Sequence, residues 1–246
     1  PSRSGHTLKK KIEAVRDEPL LSLVTPVYNT QEGDLRRLID SVKAQQYGRW
    51  ELCLVDDAST LSHVPEIIHQ AVQSDSRIKS FTSKTRLHIA QATNRALDLA
   101  CGDYVALVDH DDQLESRALQ AVADTLRASP DIDMLYTDED LVDSLGRHGP
   151  PHLKPAWSPD HFLSNMYTCH LGVYRRELID RIGRFRRGFE GSQDHDLVLR
   201  LTEQEIQIGH LPQVLYHWHC ALNSVARSFE AKRYALEAGK KALQEA

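Results

Sequence analysis

Four places along this 246-residue chain gather side chains that could do chemistry. Asp109-His110-Asp111-Asp112 follows the apolar run Val105-Ala106-Leu107-Val108, so several carboxylates stand at the end of a short strand where water and ligand can reach them. Carboxylate oxygens are hard ligands suited to Mg2+ or Mn2+, and neither ion favours an all-protein cage when phosphates can complete its shell. The cluster therefore points to a divalent cation shared with a diphosphate. Asp56-Asp57-Ala58-Ser59 ends an earlier apolar run in the same way, and a carboxylate there could accept hydrogen bonds from a base N–H or a ribose hydroxyl. At either place the plainer use of an aspartate is to cap a helix. Asp194 and Asp196 open a helical pattern. His217-Trp218-His219 ends an apolar strand whose alternation sends His217 and His219 to one face and Trp218 to the other. Imidazole is an ordinary ligand for Mn2+-like ions.

The elements that must hold these residues alternate. Leu20 to Thr25 has the length of a buried strand and should end at Pro26, Leu35, Leu38, Ile39 and Val42 repeat at helical spacing, and Trp50 to Val55 resumes a strand. A helix near Pro65 to Val72, a strand at Ile78 to Phe81, a helix at Ile89 to Ala100 and a strand at Tyr104 to Val108 continue the series. Such alternation predicts an α/β fold whose mostly parallel, doubly wound sheet carries helices on both faces. Ligands of such sheets bind beyond the carboxyl ends of the strands, so both aspartate clusters should face one crevice. After Pro130, Met134 to Tyr136 reads as a short strand, Asp138-Glu139-Asp140 as a solvated acidic loop and the stretch through Pro159 as irregular. Leu171 to Tyr174 and Val214 to Trp218 read as strands, and Asp194 to Leu201 as a helix.

Composition narrows the classes. A formal charge of −5 gives no surface for duplex nucleic acid, which needs a clustered Lys/Arg excess. Arg175, Arg176, Arg181, Arg184, Arg186 and Arg187 do gather, as a solvated face or as a surface for acidic lipid or an anionic acceptor. No apolar run reaches membrane-spanning length, and the start at Pro1 suits a piece of a longer protein. Cys53, Cys101, Cys169 and Cys220 form no C-x-x-C pair, which argues against a structural zinc site of that kind. Cys53 and Cys101 read as small core residues, and a reducing, cytoplasmic setting is expected. No G-x-G-x-x-G follows a strand and no P-loop is present, so metal must meet the phosphate charge.

In order along the chain stand Leu23-Val24-Thr25-Pro26-Val27-Tyr28-Asn29, Ser41-Val42-Lys43-Ala44-Gln45, Leu54-Val55-Asp56-Asp57-Ala58-Ser59, Asn94-Arg95-Ala96-Leu97, Val108-Asp109-His110-Asp111-Asp112, Gly191-Ser192-Gln193-Asp194-His195-Asp196-Leu197 and Tyr216-His217-Trp218. As an ordered set over about residues 20–226 they resemble the family-2 nucleotide-sugar glycosyltransferases, inverting enzymes with the A-type, Rossmann-like glycosyltransferase fold. The resemblance implies that Thr25, Pro26 and Tyr28 touch the nucleotide base and Asp57 the base or ribose. Asp109 and Asp111 become the D-x-D pair, with Asp109 and the intervening His110 on the nucleotide side and Asp111 on the metal. It also implies His217 as a third metal ligand, ahead of His219, and Asp194 as catalytic base, with Gln193 where the family usually has Glu. An inverting displacement needs one carboxylate opposite the leaving diphosphate, and Asp196, two residues on, should face away.

The resemblance thus implies a metal-dependent glycosyltransferase using Mn2+ or Mg2+, a nucleotide diphosphate sugar donor, and a glycan or lipid-linked glycan acceptor in bacterial surface polysaccharide synthesis. Contact with the inner face of the cell membrane and further domains of a longer parent chain are expected partners of that role. The chain divides into a lead-in over 1–18 with a short helical pattern from Leu8 to Val15, a catalytic domain over 19–226, and a C-terminal helix over 227–246. Within the domain, 19–129 is the nucleotide-binding half and 130–226 the acceptor-binding half. A nucleotide-sugar-binding scaffold would lack one or more of the carboxylates, and a sugar nucleotidyltransferase would carry a Gly- and Arg-rich loop after its first strand. Thr25 to Asn29 is no such loop and every expected carboxylate is present, which favours the transferase over these two alternatives. Gln46-Tyr47-Gly48-Arg49-Trp50 matches the Q-x-x-R-W pattern of processive synthases but stands too early in the chain, and a sugar-contacting role stays open for Asp138 and Glu139.

Overall fold

The computed structural model describes residues 18–219 and 229–246. The helical pattern from Leu8 to Val15 and Cys220 lie outside them. Strands β1 (Leu21–Val27), β2 (Trp50–Asp56), β3 (Ile78–Thr82) and β4 (Tyr104–Leu107) form the parallel part of one sheet, with β1 between β2 and β4. The series β5 (Gln113–Leu114), β6 (Met134–Val142), β7 (Gly172–Arg175) and β8 (Ile208–His219) completes the order β3-β2-β1-β4-β7-β6-β8-β5. Only β7 and β5 oppose their neighbours, so the sheet is mostly parallel as expected. The chain reverses its direction of travel across the sheet between β1 and β4, the switch point where an α/β sheet opens a crevice.

Alternation along the strands feeds two cores. Leu21, Leu23, Leu52 and Leu54 face one side, where they meet helix α1 (Glu32–Lys43) through Leu35, Leu38, Ile39 and Val42. Helices α2 (His63–Ser74) and α4 (Ala118–Ala128) cover the same face with Val64, Ile67, Ile68, Leu119 and Val122. Val24, Cys53 and Val55 face the other side, against Ala90, Ala92 and Ala96 of α3 (His88–Leu99), whose small side chains let the helix lie close on the sheet. Helices α5 (Pro159–Ser164), α6 (Arg176–Arg181) and α7 (Gln193–Thr202) add Phe162, Ile179, Leu197 and Val198 there, and Ala242 of α8 (Phe229–Glu245) packs into the same cluster. Acidic Glu32 and Asp34 in the first turn of α1, and Lys43 in its last, suit the helix dipole.

Three local expectations are corrected. Pro26 does not end β1; the strand continues to Val27, and pairing with β4 stops at Val24, so a residue without an N–H stands where β1 has one neighbour only. Asp138-Glu139-Asp140 is not a solvated loop but the middle of the nine-residue β6, with all three side chains buried. Acidic residues in a strand defeat a reading based on apolar alternation, and here each has a basic or backbone partner. Cys101 is exposed rather than core, because α3 ends before it, while Cys53 is buried as expected.

The acidic strand matters because β6 pairs in parallel with β8, placing Asp140 beside His217, while β5 pairs with the other edge of β8, placing Gln113 beside the same histidine. The turn Asp109–Asp112 is thereby zipped to the end of β8. Beneath it, Ser22 of β1 donates its hydroxyl to buried Glu51 at 2.6 Å and accepts the Gly102 N–H at 2.8 Å. A Cβ on Gly102 would stand 2.5 Å from Ser22 Oγ and 2.6 Å from the Leu20 carbonyl. Gly102→Ala should therefore cost about 1–3 kcal/mol, the usual penalty of forcing extra atoms into a packed site. Urea denaturation checks this: a lower midpoint with an unchanged slope is expected.

Candidate active site

The nucleotide end of the crevice is built from the loops after β1 and β2. Asn29, at φ 48°, accepts the Thr60 N–H at 2.8 Å through its side chain and gives its own N–H to Ser59 Oγ at 3.0 Å, so the two loops are stitched together. Asp57 is buried, and its carboxylate accepts the N–H groups of Leu87 and His88 at 2.5 and 3.0 Å. It caps the start of α3 rather than the helix that follows it in sequence. Arg86 joins the group, with its guanidinium 3.3 Å from Asp57 and stacked over the Tyr28 ring. Thr25 is buried, and its hydroxyl has no hydrogen-bond partner in the protein.

The acidic turn lies across the switch point. Asp112 is buried and pins the turn to β8: it accepts the Tyr216 hydroxyl at 2.6 Å and the His219 N–H at 2.8 Å, while Tyr216 accepts the Asp109 N–H at 3.1 Å. Burial, reinforced by the charge of Asp109, pushes Asp112 up to about 8. Burial also raises Asp111, against the pull of His110. Asp109 is the open member, half exposed, with Oδ2 3.5 Å from His170 Nε2. Asp109, Asp112 and His170 bring their ligand atoms within 4.8 Å of one another. Burial would lower His170, but Cys169, Asp109 and Asp112 outweigh it and hold the imidazole well above its ordinary value.

Asp194 sits in the first turn of α7 and faces the same group. Burial pushes it up to about 6, with the charge of Asp109 adding to the shift and His170 opposing it. Gln193 donates to it at 3.1 Å, so an amide steadies the carboxylate where a glutamate would repel it. Asp196, on the next face of the helix, is buried between Arg186 and Arg200, with Arg200 Nε at 3.0 Å and Nη2 at 2.9 Å. The two aspartates are thus separated into an open carboxylate and a structural one.

Asp111 and His217, the two expected metal residues, have different neighbours. Asp111 lines a cleft of about 210 Å3 with Asp34, Arg37, Val142 and His219. His219 Nε2 is buried there with no hydrogen-bond partner, and burial, then Arg37, lowers the ring to about 4, so the imidazole is uncharged at neutral pH. Carboxylate and uncharged imidazole in one cleft fit an ion of the Mn2+ type. His217 faces elsewhere: Nδ1 lies 2.7 Å from Asp140 and Nε2 3.5 Å from Glu115. His110 stands 3.7 Å from Asp111, beyond hydrogen-bond range.

Residues 22–183 match the family model described as glycosyl transferase family 2. The chain belongs to glycosyltransferase family 2. It is 42% identical over 240 residues to the uncharacterized protein y4gI of Sinorhizobium fredii, covering 97% of this chain and 26% of that one. To the O-antigen biosynthesis protein RfbC of Myxococcus xanthus it is 41% identical over 227 residues, covering 92% of this chain and 18% of the relative. The chain therefore spans about a quarter or less of the length of these two relatives. The structure of S. aureus TarS residues 1–349 in complex with UDP-GlcNAc superimposes with a TM-score of 0.70 at 19% identity, covering 89% of this chain and 66% of that one. That likeness shows the A-type glycosyltransferase fold, and the chain is a glycosyltransferase whose relatives include proteins of polysaccharide biosynthesis. Among the described residues no helix is long and apolar enough to cross a membrane.

Several members of this candidate site carry no mark in the sequence. Cys169-His170 precedes β7 without a motif, and only the pairing of β7 with β4 carries His170 to Asp109. Buried Lys154 holds that segment, donating to Glu139 at 3.1 Å, to the Thr168 carbonyl at 3.2 Å and to the His170 carbonyl. The basic cluster is likewise ion-paired internally: Arg175 with Asp133, Arg184 with Asp98 and Asp180, Arg186 with Asp196 and Glu245.

The two helix-start aspartates should respond oppositely to loss of charge. A folded-state value near 6 against 3.8 unfolded means that ionised Asp194 weakens folding, with a penalty absent below pH 4 that grows to full size above pH 6. Asp194→Asn should therefore add about 1–3 kcal/mol at pH 7, a gain that fades toward pH 4. Asp196→Asn should cost about 3 kcal/mol, since it leaves Arg186 and Arg200 without their counter-charge. Denaturation curves of both variants at pH 7 and pH 4.5 decide this, and equal effects would remove the distinction.

Proposed function

We propose that this glycosyltransferase transfers a sugar, with inversion, from a nucleotide diphosphate sugar to a hydroxyl of a glycan or lipid-linked glycan, in a reaction that depends on a divalent cation. The observation that carries the reading is Asp194, a carboxylate raised to about 6 beside Asp109 and His170 at the carboxyl end of the sheet. At neutral pH it is mostly ionised, yet near enough to neutrality to accept a proton and release it again. The acceptor hydroxyl gives its proton to Asp194 while its oxygen attacks the anomeric carbon from the side opposite the diphosphate. The anomeric C–O bond breaks, and its electron pair leaves with the nucleoside diphosphate.

Thr25, Pro26 and Tyr28 line the end of β1 where the base would lie, and Asp57 with Arg86 stands beside them. The buried hydroxyl of Thr25 without a protein partner suits a hydrogen bond to the nucleotide. Asp109 and His110 face the nucleotide's ribose and diphosphate. Asp111 would hold the cation, with His219, which shares its cleft, as the imidazole ligand in this reading where the resemblance implies His217. When bound, the ion compensates the charge that develops on the departing diphosphate. The TarS complexes with UDP and UDP-GlcNAc support a donor of this class, and RfbC, whose name is that of an O-antigen biosynthesis protein, supports surface polysaccharide as the setting.

Three measurements test the reading. Asp194→Asn should lower transfer by about 10²- to 10⁴-fold with nucleotide binding unchanged. Because the ionised form is the active base, the wild-type rate should fall about tenfold per unit below pH 6 and level above it. Near-normal transfer by the variant would mean that another group is the base. Calorimetry of UDP, GDP and dTDP with Mn2+ and with EDTA should show binding that weakens when the ion is removed, and Asp111→Asn should lose that difference. Equal affinity with and without the ion would remove the cation from the reading.

A further inference from the structure

His217 and the acidic strand leave a second group of ligand atoms outside the donor crevice. Asp140 on β6 and His217 on β8 are register partners on adjacent parallel strands, both buried, with Nδ1 of the ring 2.7 Å from Asp140 Oδ1. Just past β6 the chain turns back. The Asp143 carboxylate accepts the N–H groups of Leu145 and Arg147 at 2.9 and 3.0 Å and the Arg147 guanidinium at 2.7 Å, and Gly146 takes φ 74° at the bend. This turn returns His148 across from Val142 and sets its Nδ1 2.8 Å from Asp140 Oδ2. The two rings stand edge to face with centroids 4.8 Å apart. One carboxylate thus lies between two imidazole nitrogens, and the three ligand atoms fall within 4.8 Å of one another.

We propose that Asp140, His148 and His217 form a second cation site, for a transition ion of the Zn2+ class, separate from the ion that serves the donor. Two imidazole nitrogens and one carboxylate oxygen are the set that zinc takes when its fourth position is left to water, whereas Mg2+ and Ca2+ take oxygen. Tetrahedral bonds of about 2.0–2.1 Å separate ligand atoms by roughly 3.3 Å, so a small outward rotation of the Asp140 carboxylate makes room. Glu115 is already placed behind His217, with Oε2 3.5 Å from Nε2. When Nδ1 gives its lone pair to a metal the ring proton must sit on Nε2, and an outer carboxylate that takes this N–H is the usual partner of a metal-bound histidine. His148 is more than half exposed, which gives the ion its path of entry. Because Val142, Asp143, Ser144 and Gly146 also line the Asp111 cleft, the ion would fasten one wall of that cleft to β6 and β8.

Cobalt(II) tests this, since it takes zinc sites and its visible absorption is intense in four-coordinate and weak in six-coordinate surroundings. The full chain, stripped with chelator, is titrated with Co2+ and then with Zn2+. One equivalent of Co2+ giving an intense band that one equivalent of Zn2+ removes is the expected result. His148→Gln, on an exposed turn that leaves the core untouched, should lose the band, and Asp111→Asn should keep it. Glu115→Gln should keep the band with affinity lowered about 10- to 100-fold. A weak six-coordinate spectrum, a band that survives in His148→Gln, or a band lost in Asp111→Asn would each overturn the assignment.

Discussion

Like charge crowded into a partly dry crevice is the constraint on which this molecule is organised. Asp109, Asp111 and Asp112 occupy four consecutive positions with His110, and Asp194 faces them from another helix. Carboxylates so placed cannot all stay ionised as in water, and burial and mutual repulsion raise three of them. The fold answers each differently. Asp112 receives a hydroxyl and a backbone N–H and becomes a fastening, Asp109 stays half exposed beside His170, and Asp111 opens into a cleft with an unpartnered imidazole. Carboxylates raised by burial and by one another's charge are those whose mutual repulsion a cation would relieve most.

Holding the turn in place falls to elements with no chemistry of their own. β5 is two residues long, yet its pairing with Tyr216 and His217 fixes the turn against β8. β6 carries the other edge of β8 and supplies Glu139, whose ion pair with fully buried Lys154 anchors the segment from Thr168 to His170. A buried Lys–Glu pair adds little net stability, because desolvation of both charges offsets their attraction. Its effect here is positional: three lysine protons fix two carbonyls and one carboxylate, and His170 is set against Asp109 as a result.

The parallel half of the sheet is legible because it obeys simple periods. Leu21 to Val27 and Trp50 to Asp56 alternate between two cores, and the helices between them repeat at three and four residues, so element types and the placement of both aspartate clusters follow from pattern alone. The acidic half is not legible in this way. Asp138, Glu139 and Asp140 look like a solvated loop because their partners, His210, Lys154, His148 and His217, lie 8 to 77 positions away in sequence. Polar residues satisfied by distant polar residues leave no period to read. The same distance hides His170, and it hides Arg86, which stands next to Asp57 only because Asp57 caps a helix that begins 31 positions later.

His217 and His219 show where strand alternation stops being informative. Both point to one face of β8, so the pattern cannot choose between them, and a shift of two residues along a strand is nearly 7 Å. That distance is larger than any metal–ligand bond, so the neighbours of each ring decide its chemistry. At His217 the neighbours are Asp140, 2.7 Å from Nδ1, Glu115, 3.5 Å from Nε2, and the His148 ring, edge to face. At His219 the neighbour across the cleft is Asp111, and Nε2 is left with no protein partner. Adjacent positions on one face of a strand thus acquire different surroundings: carboxylates and a second imidazole around His217, and an open cleft with an unpartnered nitrogen at His219.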